Sequence, residues 1–203
     1  MKFSADIDLD FGDRNILLEH IEYTSAAMRN VSPIRKHGSG IYVTDIPYDS
    51  AYDMTSIDYT ECENRGYIKL DLLNVWLYKL IKDELHLIEL MKEPNWLKLQ
   101  DREFFDKLIQ IGNSYHYETM LKMPEPINSI PRLSMFISLI RPGKKHLIGK
   151  SWKEISKTIW DKDEDSYSFK KSHAIAYAHL VGIHMNLLEQ DPTAHQLSEH
   201  LFN

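Results

Sequence analysis

Three carboxylates alternate along the first residues of the chain. Asp6, Asp8 and Asp10 are interleaved with Ala5, Ile7, Leu9 and Phe11. A period of two marks a β-strand with one face buried. The pattern predicts a strand that buries its apolar face and carries three acids within about 14 Å on the other. Aspartate is a poor strand former, and like charges on one strand face repel. A cation is therefore expected against these acids, and hard divalent ions prefer carboxylate oxygen. The alternative is a solvated edge strand with acidic decoration. A fourth acid, Asp71, ends a second alternating run, Gly66-Tyr67-Ile68-Lys69-Leu70-Asp71. If the two strands are neighbours, Asp8, Asp10 and Asp71 converge at one sheet edge. Such a trio suits two metal ions about 4 Å apart, clamping the attacking and leaving oxygens of a phosphoryl transfer.

The elements that position these acids are read from spacing. Asp13 is an N-cap for a helix over Arg14 to Met28, with Ile16, Leu17, Ile21 and Met28 as its apolar positions. Asn30 to Lys36 reads as a basic turn. His37-Gly38-Ser39-Gly40 then opens a short strand, Ile41 to Val43, and its glycines make it a candidate phosphate turn. Asp45 to Asn64 is polar and turn-rich, a long loop with at most one short strand. The second acidic strand runs into a helix from Leu73 to Met91. Further helices are expected over Trp96 to Leu121 with a break near Gly112, Ser129 to Ile140, Ser151 to Trp160 and Lys170 to Gln190. Ala174, Ala178, Val181, Met185 and Leu188 form the apolar stripe of the last one. Asp161 to Ser168 is an acidic connector.

Strands in the first third and helices in the rest make an α+β plan. The expected division is a palm-like sheet over 1–92, a helical part over 93–190 and a tail over 191–203. At 203 residues, 43% hydrophobic and 11% aromatic, the chain can build a real core. A net charge of −6 argues against a globally basic nucleic-acid coat but leaves room for a local basic patch. Cys62 is the only cysteine, so no internal disulfide or cysteine zinc site is available. No stretch approaches about 20 apolar residues and no signal-peptide pattern opens the chain. The expectation is a cytoplasmic protein with no membrane partner.

Five blocks, in order, resemble the DNA polymerase III alpha subunit of bacteria, the C-family of DNA polymerases. Ala5-Asp6-Ile7-Asp8-Leu9-Asp10-Phe11-Gly12-Asp13-Arg14, continuing into Leu18-Glu19-His20-Ile21, is similar to its palm motif. Lys36-His37-Gly38-Ser39-Gly40-Ile41-Tyr42-Val43 resembles its His-Ala-Gly-Gly strand. Gly66 to Leu73 is similar to its Lys-Phe-Asp-Phe-Leu-Gly block. Leu139-Ile140-Arg141-Pro142-Gly143 resembles Leu-Tyr-Arg-Pro-Gly, and Phe169 to Ala178 resembles Phe-Asn-Lys-Ser-His-Ser-Ala-Ala-Tyr-Ala. The resemblance implies a polymerase-beta-like nucleotidyltransferase palm with Asp8, Asp10 and Asp71 as catalytic, metal-binding carboxylates. Two Mg²⁺ or Mn²⁺ ions, a DNA primer-template and deoxynucleotide triphosphates come with it. Lys69, Arg141, Lys170, Lys171 and His173 fall where the family handles nucleotide and primer phosphates.

The chain departs from the family in what is missing. It starts at the acidic strand, without the upstream Gly-Ser-rich loop or the phosphoesterase domain. Asp10 and Asp71 are too close in sequence for the thumb, and little separates Gly143 from Phe169 for the fingers. These losses support an alternative: a non-catalytic or split-polymerase binding module that pairs with a companion polypeptide or interferes with host replication proteins. Compactness suggests a phage or mobile-element source, in which case the compartment is the bacterial host cytoplasm. Gln196-Leu197-Ser198-Glu199-His200-Leu201-Phe202 resembles the peptide by which bacterial polymerases dock on the sliding clamp. Gln196, Leu197, Leu201 and Phe202 would make that contact, against a frayed helix end as the plainer reading. Structural roles compete elsewhere too. Lys170 and Lys171 oppose the dipole of the helix they open unless a phosphate sits there. His173, His179 and His184 suit a core edge or surface, Trp152 and Trp160 suit a core, and Cys62 is assigned no chemistry.

Overall fold

The computed structural model describes residues 6–161 and 170–195, and the chain divides into two compact units, Met1–Leu80 and Ile81–Asn203. The fold is α+β, with a small mixed sheet in the first unit and helices in the second. The division falls at Leu80, earlier than the boundary at 92 expected from sequence.

In the first unit, β1 (Asp6–Phe11) runs to a turn at Gly12-Asp13. The Asp13 side chain accepts from Asn15 N at 3.1 Å and starts α1 (Arg14–Leu18). The helix expected to reach Met28 stops here, and Thr24–Met28 forms β2 instead. The reason is tertiary. Ala26 and Ala27 are fully buried, and the Ala27 N–H donates to Thr55 Oγ1 at 3.0 Å, so sheet pairing overrides alanine's helix propensity. β3 (Arg35–Tyr42) starts before the expected strand and takes in His37–Gly40, which is therefore a bulged strand segment and no turn. The expected long loop holds a hairpin, β4 (Tyr48–Asp49) with β5 (Met54–Thr55), and a helix, α2 (Tyr59–Asn64), capped by Asp58. β6 (Lys69–Asn74) continues past Asp71, displacing the start of the expected helix at Leu73. A 3₁₀ turn, Trp76–Leu80, follows.

The sheet order is β1-β6-β3-β2, with β1 parallel to β6 and the other neighbours antiparallel. Ala26, Tyr42 and Cys62 form its buried core, flanked by Ile46, Ile57, Tyr59 and Tyr67. The apolar side of β1 departs from expectation: Ile7 is 48% and Leu9 38% exposed. Cys62 is buried in α2, and burial raises its thiol pKa, in keeping with an inert core residue.

The second unit comprises α3 (Glu84–Leu90), α4 (Arg102–Asp106), α5 (Ser114–Leu121), α6 (Ile130–Leu139), α7 (Trp152–Thr158) and α8 (Lys171–Gln190). Short 3₁₀ turns cover Trp96–Gln100 and Pro142–Leu147. The break near Gly112 is physical: a Cβ there would lie 2.5 Å from the carbonyl oxygens of Asp106 and Leu108. Ser129 caps α6, and Ser151 with Glu154 makes a capping box on α7. The expected stripe of α8 is buried throughout, packing on α6 and α3, and Trp152 lies in the core. No described helix is long and apolar enough to cross a membrane.

Candidate carboxylate site

Strand register brings the acids together. Along β1 and β6, Asp8 pairs with Asp71, Asp6 with Lys69 and Asp10 with Leu73. On the other side of β6, Asp71 pairs with Gly40 of β3. Directly paired residues on neighbouring strands share a face, so Asp8, Asp71 and Gly40 form a row across three strands, with Asp10 one step along. Asp8 and Asp10 are exposed, whereas Asp71 is only 6% exposed and Lys69 only 3%.

Glycine at position 40 is what lets the row close. A Cβ there would meet Lys69 Cδ at 2.8 Å, His37 Nδ1 at 3.0 Å and Ala26 Cβ at 3.2 Å. Lys69 of β6 and His37 of β3 fill that space, and Lys69 and Ser39 reach Asp71. Lys69 Nζ lies 2.6 Å from Asp71 Oδ2, and Ser39 Oγ donates to Oδ1 at 2.8 Å. His37 Nδ1 lies 3.6 Å from Oδ1, but it is no ion-pair partner. Nδ1 accepts from Gly40 N at 3.0 Å and from Ser39 N at 3.4 Å, so any proton on the neutral ring sits on Nε2. Burial holds the His37 pKa below the usual histidine range. The Lys69 ammonium adds to that and the Asp71 carboxylate opposes it. The Tyr59 ring backs both basic residues, 5.1 Å from the His37 ring centroid and 5.3 Å from Lys69 Nζ.

The bulge explains how His37 and Ser39 can both face Asp71. Between the pairs Ser25–Ile41 and Ala27–Lys36, β3 carries extra residues that β2 does not match. The N–H groups of Ser39 and Gly40, which a phosphate turn would offer to a ligand, point at the His37 ring.

The remaining expected residues stand in the second unit. Arg141 precedes the 3₁₀ turn Pro142–Leu147, Lys170 is the N-cap residue of α8, and Lys171 and His173 occupy its first turn. Lys171 Nζ lies 5.8 Å from the Trp160 ring centroid. Among the expected histidines, His184 is fully buried rather than peripheral, with Nδ1 accepting from Ile109 N at 3.0 Å. Lys144 of the basic segment is buried as well, and donates from Nζ to the Asp161 carbonyl at 2.8 Å. The clamp-docking residues Gln196, Leu197, Leu201 and Phe202 lie outside the described residues, as does most of the acidic connector.

Two participants were not foreseen. Tyr59 falls in the stretch expected as a loop, although Asp58 followed by Glu61 at the third helical position is a helix-start signal. Tyr78 OH donates to Asp10 Oδ2 at 3.4 Å, a contact no local pattern announces.

An all-carboxylate donor set suits a hard divalent ion. Asp71 does not join such a set while Lys69 and Ser39 hold its oxygens. Among the described residues no group of three or more His, Cys, Asp or Glu side chains converges as a metal site. Comparison of the chain with family models finds no match, and comparison with curated proteins and with solved structures finds none either.

Proposed function

We propose that the first unit carries a metal-dependent nucleotidyltransferase site acting on DNA, of the kind found in the polymerase III alpha subunit. One observation carries the reading. Three sequence blocks that resemble that family lie on adjacent strands, and their acids share one face, Asp8 beside Asp71 beside Gly40. The finer fold assignment, a polymerase-beta-like palm, belongs to the same proposal.

In this reading Asp8 and Asp10 hold Mg²⁺ or Mn²⁺ through oxygen, and Asp71 completes the set when Lys69 withdraws from it. Ions bound there would polarise phosphoryl oxygens and acidify an attacking hydroxyl. Lys69 neutralises Asp71 and fixes its rotamer through the 2.6 Å contact. Arg141, Lys170, Lys171 and His173 are assigned to phosphates of primer-template and incoming nucleotide by resemblance. A primer-extension assay with Mg²⁺ or Mn²⁺ tests the proposal. Incorporation by the wild type and its loss in Asp8→Ala are expected; equal incorporation by both would refute it.

A specific observation favours a second reading. With Asp71 closed on both oxygens by Lys69 and Ser39, the unit can serve as a non-catalytic or split-polymerase module that needs a companion polypeptide or binds a sliding clamp. Divalent-ion calorimetry separates the two. Heat of Mg²⁺ binding that disappears in Asp71→Ala supports the enzyme. No heat, together with recovery of a replication protein or companion chain in a pull-down, supports the module.

A further inference from the structure

Beside the acids, the bulged segment of β3 borders a cavity. Side chains alternate along strands, so Ser25 and Ile41, which pair with each other, lie on the face opposite Gly40 and Asp71. A cavity of about 370 Å³ reaches from these two residues to the bulge, lined by Arg14, Asn15, Tyr23, Lys36, His37 and Ser39, among others. The chain has 30 acidic residues and 24 basic ones, yet none of the lining residues is acidic.

Arg14 is the anchor. Its Nη1 donates to the carbonyl oxygens of Gly38 and of Leu72, the latter at 3.3 Å, and it makes no ion pair among the described residues. Two neutral carbonyls orient the guanidinium without neutralising it, and its planar fork has further N–H donors to offer. Lys36 is tied only to Asp53, in a pair whose side chains are 47% and 73% exposed, so an incoming anion competes for it easily. Tyr23 adds a 42% exposed aromatic ring, and Asn15 and Ser25 add neutral hydrogen-bonding groups. A guanidinium without an ion pair among the described residues, a lysine in an exposed pair, an aromatic ring and this volume suit a small phosphate ester with a planar base.

We propose that this cavity binds the phosphate of a nucleotide-class ligand without divalent metal, Arg14 and Lys36 taking the phosphate and Tyr23 the base. Occupancy has a built-in reporter. Arg14 holds the Gly38 carbonyl inside the bulge whose neighbours His37 and Ser39 face Asp71. His37 lines the cavity as well, so a ligand that draws on Arg14 also shifts the His37 ring.

The test titrates the full chain in EDTA with thymidine 5′-monophosphate, inorganic phosphate and an oligothymidylate, followed by calorimetry and by amide and histidine-ring NMR. Saturable binding of the mononucleotide is expected, with shifts at Arg14, Tyr23, Ser39 and the His37 ring. Arg14→Gln and Lys36→Gln each weaken it about tenfold, the loss of one charge-assisted contact. Tyr23→Leu weakens the mononucleotide and leaves inorganic phosphate unchanged. Lys36 is a surface residue, so Lys36→Gln decides the matter even if Arg14→Gln fails to fold. Tighter binding of the oligothymidylate identifies a DNA strand as the source of the phosphate, and tighter binding of the mononucleotide a free nucleotide. Failure to saturate, or binding that survives both Lys36→Gln and Tyr23→Leu unchanged, overturns the proposal. Asp8 does not line the cavity, so Asp8→Ala leaves this binding intact while removing primer extension, and the two proposals fail separately.

Discussion

Lys69 offers the sharpest test of how the carboxylate face is held. Lys69→Met keeps most of the buried aliphatic stem and removes the ammonium 2.6 Å from Asp71 Oδ2. At an effective dielectric near 20, the attraction across that distance is roughly 6 kcal/mol before either ion's desolvation is counted. The two side chains are 4% and 9% exposed, so solvent screening discounts it little. The variant leaves a buried carboxylate with only Ser39 and the polar edge of His37 beside it, and breaking one side of such a pair destabilises by about 3–5 kcal/mol. The double variant Lys69→Met/Asp71→Leu removes both charges and recovers most of that. A second signature separates charge from packing. Without Lys69, one of the influences that depress the His37 pKa is gone while the Asp71 carboxylate that raises it remains. His37 then protonates more readily in the folded state, and that change shrinks the penalty as pH falls. Urea unfolding of the wild type and both variants, at neutral and mildly acidic pH, checks this. A single-variant loss below about 1 kcal/mol, or a penalty that does not change with pH, would refute the reasoning.

Two further outcomes follow from the packing. Gly40→Ala puts a methyl group 2.8 Å from Lys69 Cδ and 3.0 Å from His37 Nδ1. It should destabilise the chain by about 1–3 kcal/mol and move the His37 ring resonances, and a midpoint equal to wild type would show that the gap is slack. His184 is fully buried, and burial, helped by His195, lowers its pKa to about 4. The unfolded chain takes that proton near 6.5, so between these values the unfolded state binds more protons and stability falls as pH drops. The total is about 3 kcal/mol at about 1.4 kcal/mol per unit. Unfolding midpoints above and inside this window measure it. His184→Asn, which retains an acceptor for the Ile109 N–H, should lose that component, and an unchanged pH slope would count against it.

Where local pattern and tertiary demand agree, the fold was legible in the chain. Alternation announced β1, the Ala174–Leu188 stripe announced α8, and the helices expected from Ser129 and from Ser151 are α6 and α7. Long-range demand hid the rest. Thr24–Met28 has no alternating pattern and holds two alanines. It is a strand because β3 and Thr55 take its backbone groups. Likewise β6 runs past Asp71 because β1 pairs with it out to Asn74, which no local signal at Leu73 reports. Burial of the β1 apolar side failed as an expectation because alternation reveals that a strand has two different faces, not that both will be covered. The acids themselves raised the most useful question, which cation lies against them. For Asp71 the answer was written two residues away: Lys69 shares its strand face by the same period of two, and the glycine opposite leaves it room to fold back. A lysine read from resemblance as a phosphate ligand is, in this arrangement, the counter-ion of a carboxylate. Any divalent ion that recruits Asp71 must therefore displace an ammonium first, which is why the behaviour of Lys69→Met and the calorimetry of Asp71→Ala bear on the same step.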